Sequence, residues 1–359
     1  LISTKMDTLK KMKKSELRGF SIFEHGCFLK YDIILDDKNK YYETFKNSDV
    51  EGTISHFETD SNGFIEPSKI HTVADWDIVF MGDSTVECSF VQPEKRFPYL
   101  VGRKIEQAME QKVNSYNAGV SSADTLSLMK VLLMKIFPME PNMVVLCNTD
   151  RELVYLLSQN KQDAHHMKGA ENGKKKIIAY RDWVVQASLK RRVLICLQLI
   201  FGRKKLEQAL SYKEETSKVS SSSLNDMENV LEVFEKDLLA FISLCQTRNI
   251  PLVLMTQANQ YGKKDGDRLR KLYDINIYPI TNTKYEEYCK LIIKANELIR
   301  QIGDLRGISV IDLERFAENK ELLYDQVHYT NEGAVIVSNY ISEQIKKILA
   351  NHSKNTMSM

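Results

Sequence analysis

The chain has 359 residues, 43% apolar and 27% charged, the balance of an ordinary soluble globular protein with one large domain or two. Its 50 basic and 48 acidic residues leave a net charge of +2, without the basic excess of a generic nucleic-acid binder. No stretch reaches the roughly 20 apolar residues needed to cross a bilayer. The six cysteines lie far apart with no C-x-x-C pair, so neither a thiol zinc site nor a redox motif is expected.

Residues 1–75 read as an extension packed on the main domain. A basic arm, Lys5 to Lys14, precedes scattered aromatics and polar turns such as Asp60-Ser61-Asn62-Gly63, a pattern of hairpins. The chain opens on Leu rather than Met, which leaves open a removed signal peptide or anchor, and with it a place in a cell envelope.

From residue 76 the pattern alternates between strand and helix. Strands are predicted at 77–81, 113–117, 143–147, 251–256 and 308–312. Helical periodicities carry Phe97 to Met109, Leu126 to Ile136 (ending at Pro138), Met227 to Cys245, Tyr285 to Ile299 and Val337 to Ile348. Asn225, with Glu228 three residues on, is the expected capping box of the third helix. Five strands alternating with helices imply an α/β fold with a mainly parallel sheet covered on both faces.

Residues 151–224 interrupt this rhythm and read as an insertion. Its apolar run Val193 to Phe201, flanked by basic residues, is a helix packed on the domain or, in the sharper reading, a lid or membrane-surface helix. Residues 351–359 read as a disordered tail. Cys147, Cys196, Cys245 and Cys289 fall in apolar patterns and are expected to be reduced core thiols.

Chemistry concentrates where predicted strands end. The run Ile78 to Met81 stops in Gly82-Asp83-Ser84 and a helix pattern follows, which presents a Ser hydroxyl above the sheet edge. Alone, the triplet is an ordinary turn. After the fifth strand, however, Asp325 and His328 share one loop, at a spacing that lets the carboxylate fix the tautomer of the imidazole. In open parallel sheets ligands bind beyond the carboxyl ends of the strands. Ser84, Gly119 and residues 148–150 all fall there.

These blocks resemble the SGNH, or GDSL, hydrolases over roughly residues 76–350: Gly82-Asp83-Ser84, Asn117-Ala118-Gly119 and Asp325-x-x-His328 match the family's first, second and last blocks. The resemblance implies a three-layer α/β/α, flavodoxin-like sandwich and cofactor-free, metal-free ester hydrolysis or acyl transfer through an acyl-enzyme. It further implies Ser84 as nucleophile, His328 as base, Asp325 as its orienting partner, and the N–H groups of Ser84 and Gly119 in the oxyanion hole.

The third block departs from the pattern. Where the family has Gly-x-Asn-Asp, this chain has Cys147-Asn148-Thr149-Asp150. Asn148 is the preferred third oxyanion donor, and an alignment shifted by a residue or two puts Thr149 or Asp150 there instead. The expected substrate, also from the resemblance, is a short acyl ester, such as acetyl, on a carbohydrate. An O-acetyltransferase using the same triad, or a non-catalytic carbohydrate-binding module, are the alternatives.

Other residues weigh less. His165-His166 is expected to be solvated rather than metal-binding. Glu87 and Cys88, one turn beyond Ser84, either line the pocket or serve as first-turn acid and core thiol. Asp312 is a site-edge residue or a cap, and Lys263 to Arg268 a solvated turn.

Overall fold

The structure is a computed structural model that describes residues 23–160, 223–262, 266–319 and 321–356. The basic arm, His165-His166, Cys196 and the apolar run Val193 to Phe201 lie outside the described residues.

Five strands, β3 (Trp76–Gly82), β4 (Val113–Gly119), β5 (Met143–Cys147), β6 (Leu252–Met255) and β7 (Ser309–Ile311), form one sheet. All four pairings are parallel, in the order β4-β3-β5-β6-β7. Numbered among themselves the strands run 2-1-3-4-5, the flavodoxin-like order, whose switch point lies between the first and third strands. Ser84 follows β3 directly, so its turn sits at that switch point.

The helices are α1 (Ser84–Glu87), α2 (Phe97–Met109), α3 (Thr125–Val131), α4 (Asp150–Asn160), α5 (Ser223–Thr247), α6 (Gly266–Asn276), α7 (Tyr285–Arg306) and α8 (Asn331–Thr356). On one sheet face Ile78, Phe80, Val145 and Ile311 pack against Val101 and Ile105 of α2 and Val337, Ile341 and Ile345 of α8. On the other, Leu146 and Leu254 meet Phe234, Leu238 and Ile299 of α5 and α7 around a small cavity. With both faces covered, β3, β5, β6 and β7 are near-continuous apolar runs, which is why their positions are legible.

Several boundaries differ from expectation. Residues Asp150–Asn160 are a helix that buries Leu153, Val154 and Leu157, so the start of the expected insertion belongs to the domain. The third long helix begins at Ser223, ahead of Asn225, so Asn225 does not cap it. The final helix continues through Thr356 into the expected tail. Gly266 to Arg268 open α6 rather than forming a free turn, and the Arg268 guanidinium donates to the carbonyls of Thr44 (2.7 Å) and Tyr324 (2.8 Å).

The extension holds one antiparallel pair, β1 (Lys30–Ile34) and β2 (Ile54–Glu58). It covers the free edge of the main sheet, where Ile65 N–H donates to Asn117 O at 3.0 Å. This explains why β4 is fully buried yet polar. Asn114 Oδ1 accepts the N–H groups of Ile70 and His71, so polar edge residues dock the extension.

Arg96 fastens the same junction from below. It is 1% exposed and donates to the carbonyls of Glu66 (2.6 Å), His56 (2.8 Å) and Cys88 (3.4 Å) and to Ser55 Oγ (3.4 Å). Burial lowers its pKa to about 10, so the guanidinium stays charged at neutral pH. Replacing Arg96 with Ala strands these acceptors and is expected to cost about 3 kcal/mol or more of unfolding free energy in urea denaturation. A loss below about 0.5 kcal/mol, the range of ordinary surface substitutions, contradicts this clamp.

Candidate active site

Gly82 ends β3 under tight steric constraint. A Cβ there would lie 2.1 Å from Cys147 O and 2.5 Å from Val86 Cγ2, so only glycine lets the first and third strands converge here. Asp83 then caps α1, its Oδ1 accepting Thr85 N–H at 2.9 Å, with the Thr85 hydroxyl as a further partner. Asp83 Oδ2 accepts Arg151 N–H at 3.3 Å, which binds the start of α4, just after β5, to the Ser84 turn. Ser84 follows, half-buried.

Ser84 Oγ lies 2.7 Å from His328 Nε2, and His328 Nδ1 lies 2.7 Å from Asp325 Oδ2. Ser84 is thus joined, in one hydrogen-bonded chain, to two side chains more than 240 residues downstream. Their loop is held internally. Asp325 Oδ1 accepts the N–H groups of Val327 (2.9 Å) and His328 (2.8 Å), and Tyr324 N–H donates to His328 O at 2.9 Å. The Tyr324 ring stacks on the imidazole with centroids 5.6 Å apart and planes 10° from parallel.

Burial opposes charge on His328, but the Asp325 carboxylate outweighs it, with Asp83 and Asp150 adding to the effect, and the imidazole pKa rises to about 9. Burial likewise opposes the Asp325 carboxylate, yet His328 and the two backbone donors hold it below the usual range. Asp325 is therefore the charged partner that fixes the ring, leaving Nε2 facing Ser84.

The other two expected oxyanion donors are engaged elsewhere. Gly119 N–H donates to Asn117 Oδ1 at 2.9 Å. With its amide turned so that both ends are satisfied, Asn148 donates to Ala123 O (3.2 Å) and accepts from Thr125 N–H (3.2 Å) and Oγ1 (3.3 Å). Asn148 therefore braces the segment after β4. Gly119 serves a different purpose, because a Cβ there would lie 2.3 Å from Glu87 N, so glycine lets the end of β4 press onto α1. Of the alternatives for the third block, Asp150 is buried and bonded to the hydroxyls of Tyr261 (3.0 Å) and Tyr288 (2.8 Å). Burial, then the nearby Asp83, push its pKa up to about 6. Thr149 Oγ1 is buried without a partner among the described residues.

The turn after β4 lies beside the Ser84 turn and has a backbone conformation that sequence reasoning missed. Val120 N–H donates to Gly82 O (3.0 Å) and Ala123 N–H to Val120 O (2.9 Å), closing a β-turn beside the Ser84 turn. Its third residue, Ser122, has φ +69°, a conformation that favours glycine. Ser122 N–H meets no acceptor among the described residues. The sequence holds no signal for it, because Ser is not a left-handed residue by type.

Glu87 is buried at 4% exposure, and its Oε2 accepts Ser121 N–H. Burial pushes its pKa up to about 7 against the pull of the Ser121 donors, His328 and Arg96. His25, from the extension, brings Nε2 to 3.7 Å from Glu87 Oε1. Burial, then Lys135, hold its pKa down to about 4, so at neutral pH the ring is neutral and the contact is no ion pair. Asp312 belongs to a structural network with Thr256 and Arg300 rather than to the site. Cys88 and Cys147 are buried free thiols.

No family model matches the chain, and no curated protein matches it. Among solved structures it is similar to the acetyl xylan esterase AlAXEase, at 17% identity over 74% of this chain and 97% of that one, TM-score 0.42. It is also similar to a catalytic mutant of Axe2, an acetylxylan esterase from Geobacillus stearothermophilus, at 12% identity over 77% and 96%, TM-score 0.43. A lipase/acylhydrolase from Enterococcus faecalis matches at 16% identity over 76% and 96%, TM-score 0.41. Likeness of this degree assigns no activity. No described helix is long and apolar enough to cross a membrane.

The electrostatics carry a signed expectation. Because Asp325 raises the His328 pKa, the imidazole is protonated at low pH and free Nε2 grows as pH rises. Titration of the imidazole followed by NMR is expected to centre well above the ordinary 6.5, near about 9, and to move down in Asp325→Asn. A wild-type midpoint at or below 6.5 contradicts the arrangement.

Proposed function

We propose that the protein is a serine ester hydrolase of the SGNH type. The observation that carries this reading is the Ser84 Oγ to His328 Nε2 contact of 2.7 Å, backed by His328 Nδ1 to Asp325 Oδ2 at 2.7 Å. A Ser hydroxyl at its own pKa is a poor nucleophile, and a positioned base removes that obstacle.

In the reaction, Ser84 Oγ bonds to the ester carbonyl carbon as its proton passes to His328 Nε2. The carbonyl electrons move onto oxygen, and the N–H groups of Ser84 and Ser122 are the donors this reading assigns to that oxyanion. Collapse breaks the bond to the alcohol oxygen, which leaves with the proton from His328. Water then attacks the acyl-enzyme, giving its proton to His328, and the acid departs as Ser84 Oγ regains a proton. Asp325 stabilises the imidazolium throughout and keeps Nε2 aimed at Ser84.

A groove next to the imidazole supports a substrate class. An open groove beside Tyr324 is lined by Lys46, Asn47, Asp49, Arg268, Glu321 and Thr330. Hydrogen-bonding side chains of this kind suit a polyhydroxylated partner, which supports a short acyl ester on a carbohydrate. The chemistry of acyl transfer to a sugar hydroxyl is the same up to the acyl-enzyme.

Turnover of a chromogenic acetyl ester is expected to fall about 10,000-fold in Ser84→Ala and in His328→Ala. Wild type without turnover contradicts the enzymatic reading, and full turnover by Ser84→Ala contradicts the nucleophile. Acetylated sugar formed at the expense of free acetate, on adding saccharide acceptors, moves the reaction to transfer.

A further inference from the structure

One buried carboxylate beside the triad has no part in the steps above. Glu87 closes α1, a single turn after Ser84, and its side chain does not face water. It crosses to the turn after β4 instead, where Oε2 accepts the N–H of Ser121 and the Ser121 side chain is a second partner. The next residue, Ser122, holds φ +69°.

A Ser in that conformation is strained, and such strain persists only where the surroundings over-determine it. Three contacts do so here. Val120 N–H is held by Gly82 O at 3.0 Å. Gly119 is pressed onto the Glu87 backbone too closely for any Cβ. The Glu87 carboxylate holds Ser121 directly.

We propose that Glu87 is a positioning residue for the reaction, fixing the strained Ser121-Ser122 turn so that Ser122 N–H stands ready for the oxyanion. The inference rests on the ester-hydrolase reading of the same site. It assigns to Glu87 no proton transfer, since all it supplies is an acceptor oxygen. Both protonation states of the carboxyl offer that oxygen, and so does a glutamine amide.

His25 makes the extension part of this arrangement. Its ring packs edge-on against Phe57 (centroids 5.0 Å apart) and lies against Glu87, which shuts water away from the carboxylate. A competing water would weaken the hold on Ser121.

The test uses the full chain and a chromogenic acetyl ester. Glu87→Leu removes the acceptor and is expected to lower kcat about 10- to 100-fold with KM within about twofold, since the lost contact acts on the transition state. Glu87→Gln is expected to keep most of kcat. Adding Ser122→Gly to Glu87→Leu is expected to restore part of it, because glycine takes the left-handed turn without strain. A merely structural role predicts no such rescue.

Unchanged kcat in Glu87→Leu overturns the proposal, as does a Glu87→Gln variant as slow as Glu87→Leu. Should Glu87→Leu fail to fold, Ser122→Val in the wild-type background replaces it. A β-branched residue opposes the left-handed turn, so a selective loss of kcat supports the proposal and unchanged kcat overturns it. Failure of the hydrolase reading itself is distinguishable, because the wild type would then show no turnover dependent on Ser84.

Discussion

The site depends on how closely the backbone passes itself at two glycines. At Gly82 the first strand of the sheet runs so near Cys147 O that a side chain has no room, and at Gly119 the second strand meets the backbone of Glu87 in the same way. These contacts draw three loops, after β3, β4 and β5, into one patch at the carboxyl edge of the sheet. The parallel order of the strands selects that edge, and the switch point between first and third strands opens it to a ligand. Ser84 is placed by this backbone geometry before any side chain contributes.

Buried charge then organises the patch. Asp83, Glu87, Asp150 and Asp325 are all nearly inaccessible, and each is satisfied by backbone N–H groups, hydroxyls or the imidazole. A buried carboxylate without partners is costly, so each one fixes the segment that supplies its donors. Asp83 ties the Ser84 turn to the start of α4, Glu87 ties α1 to the turn after β4, and Asp325 ties the imidazole to its own loop. Their summed field falls on His328, whose raised pKa follows from Asp325 first and from Asp83 and Asp150 as well.

Much of this was legible in the chain. Most strands buried on both faces are apolar runs, and the five predicted strands lie within two residues of the observed ones at either end. Gly82-Asp83-Ser84 and Asp325-x-x-His328 are local patterns, so Ser84, His328 and Asp325 could be picked out. What could not be read is how polar groups choose among partners. Gly119 and Asn148 have the right residue types for oxyanion donors, but Asn117 captures the one and the segment Ala123 to Thr125 engages the other. Glu87 looked like a first-turn acid because its burial comes from His25, more than 60 residues away, and from a turn on another strand. Ser122 carries no signal at all, since its positive φ is imposed by the surrounding contacts.

The most direct measurement is to mix the protein with an activated acetyl ester, quench in acid within the first turnover, and map the modified peptide by mass spectrometry. A single acetyl group on Ser84, absent from the Ser84→Ala protein and slow to form in His328→Ala, is the predicted result. Turnover of the ester with no acyl group on Ser84 at any quench time, or with the label on another residue, would contradict the account.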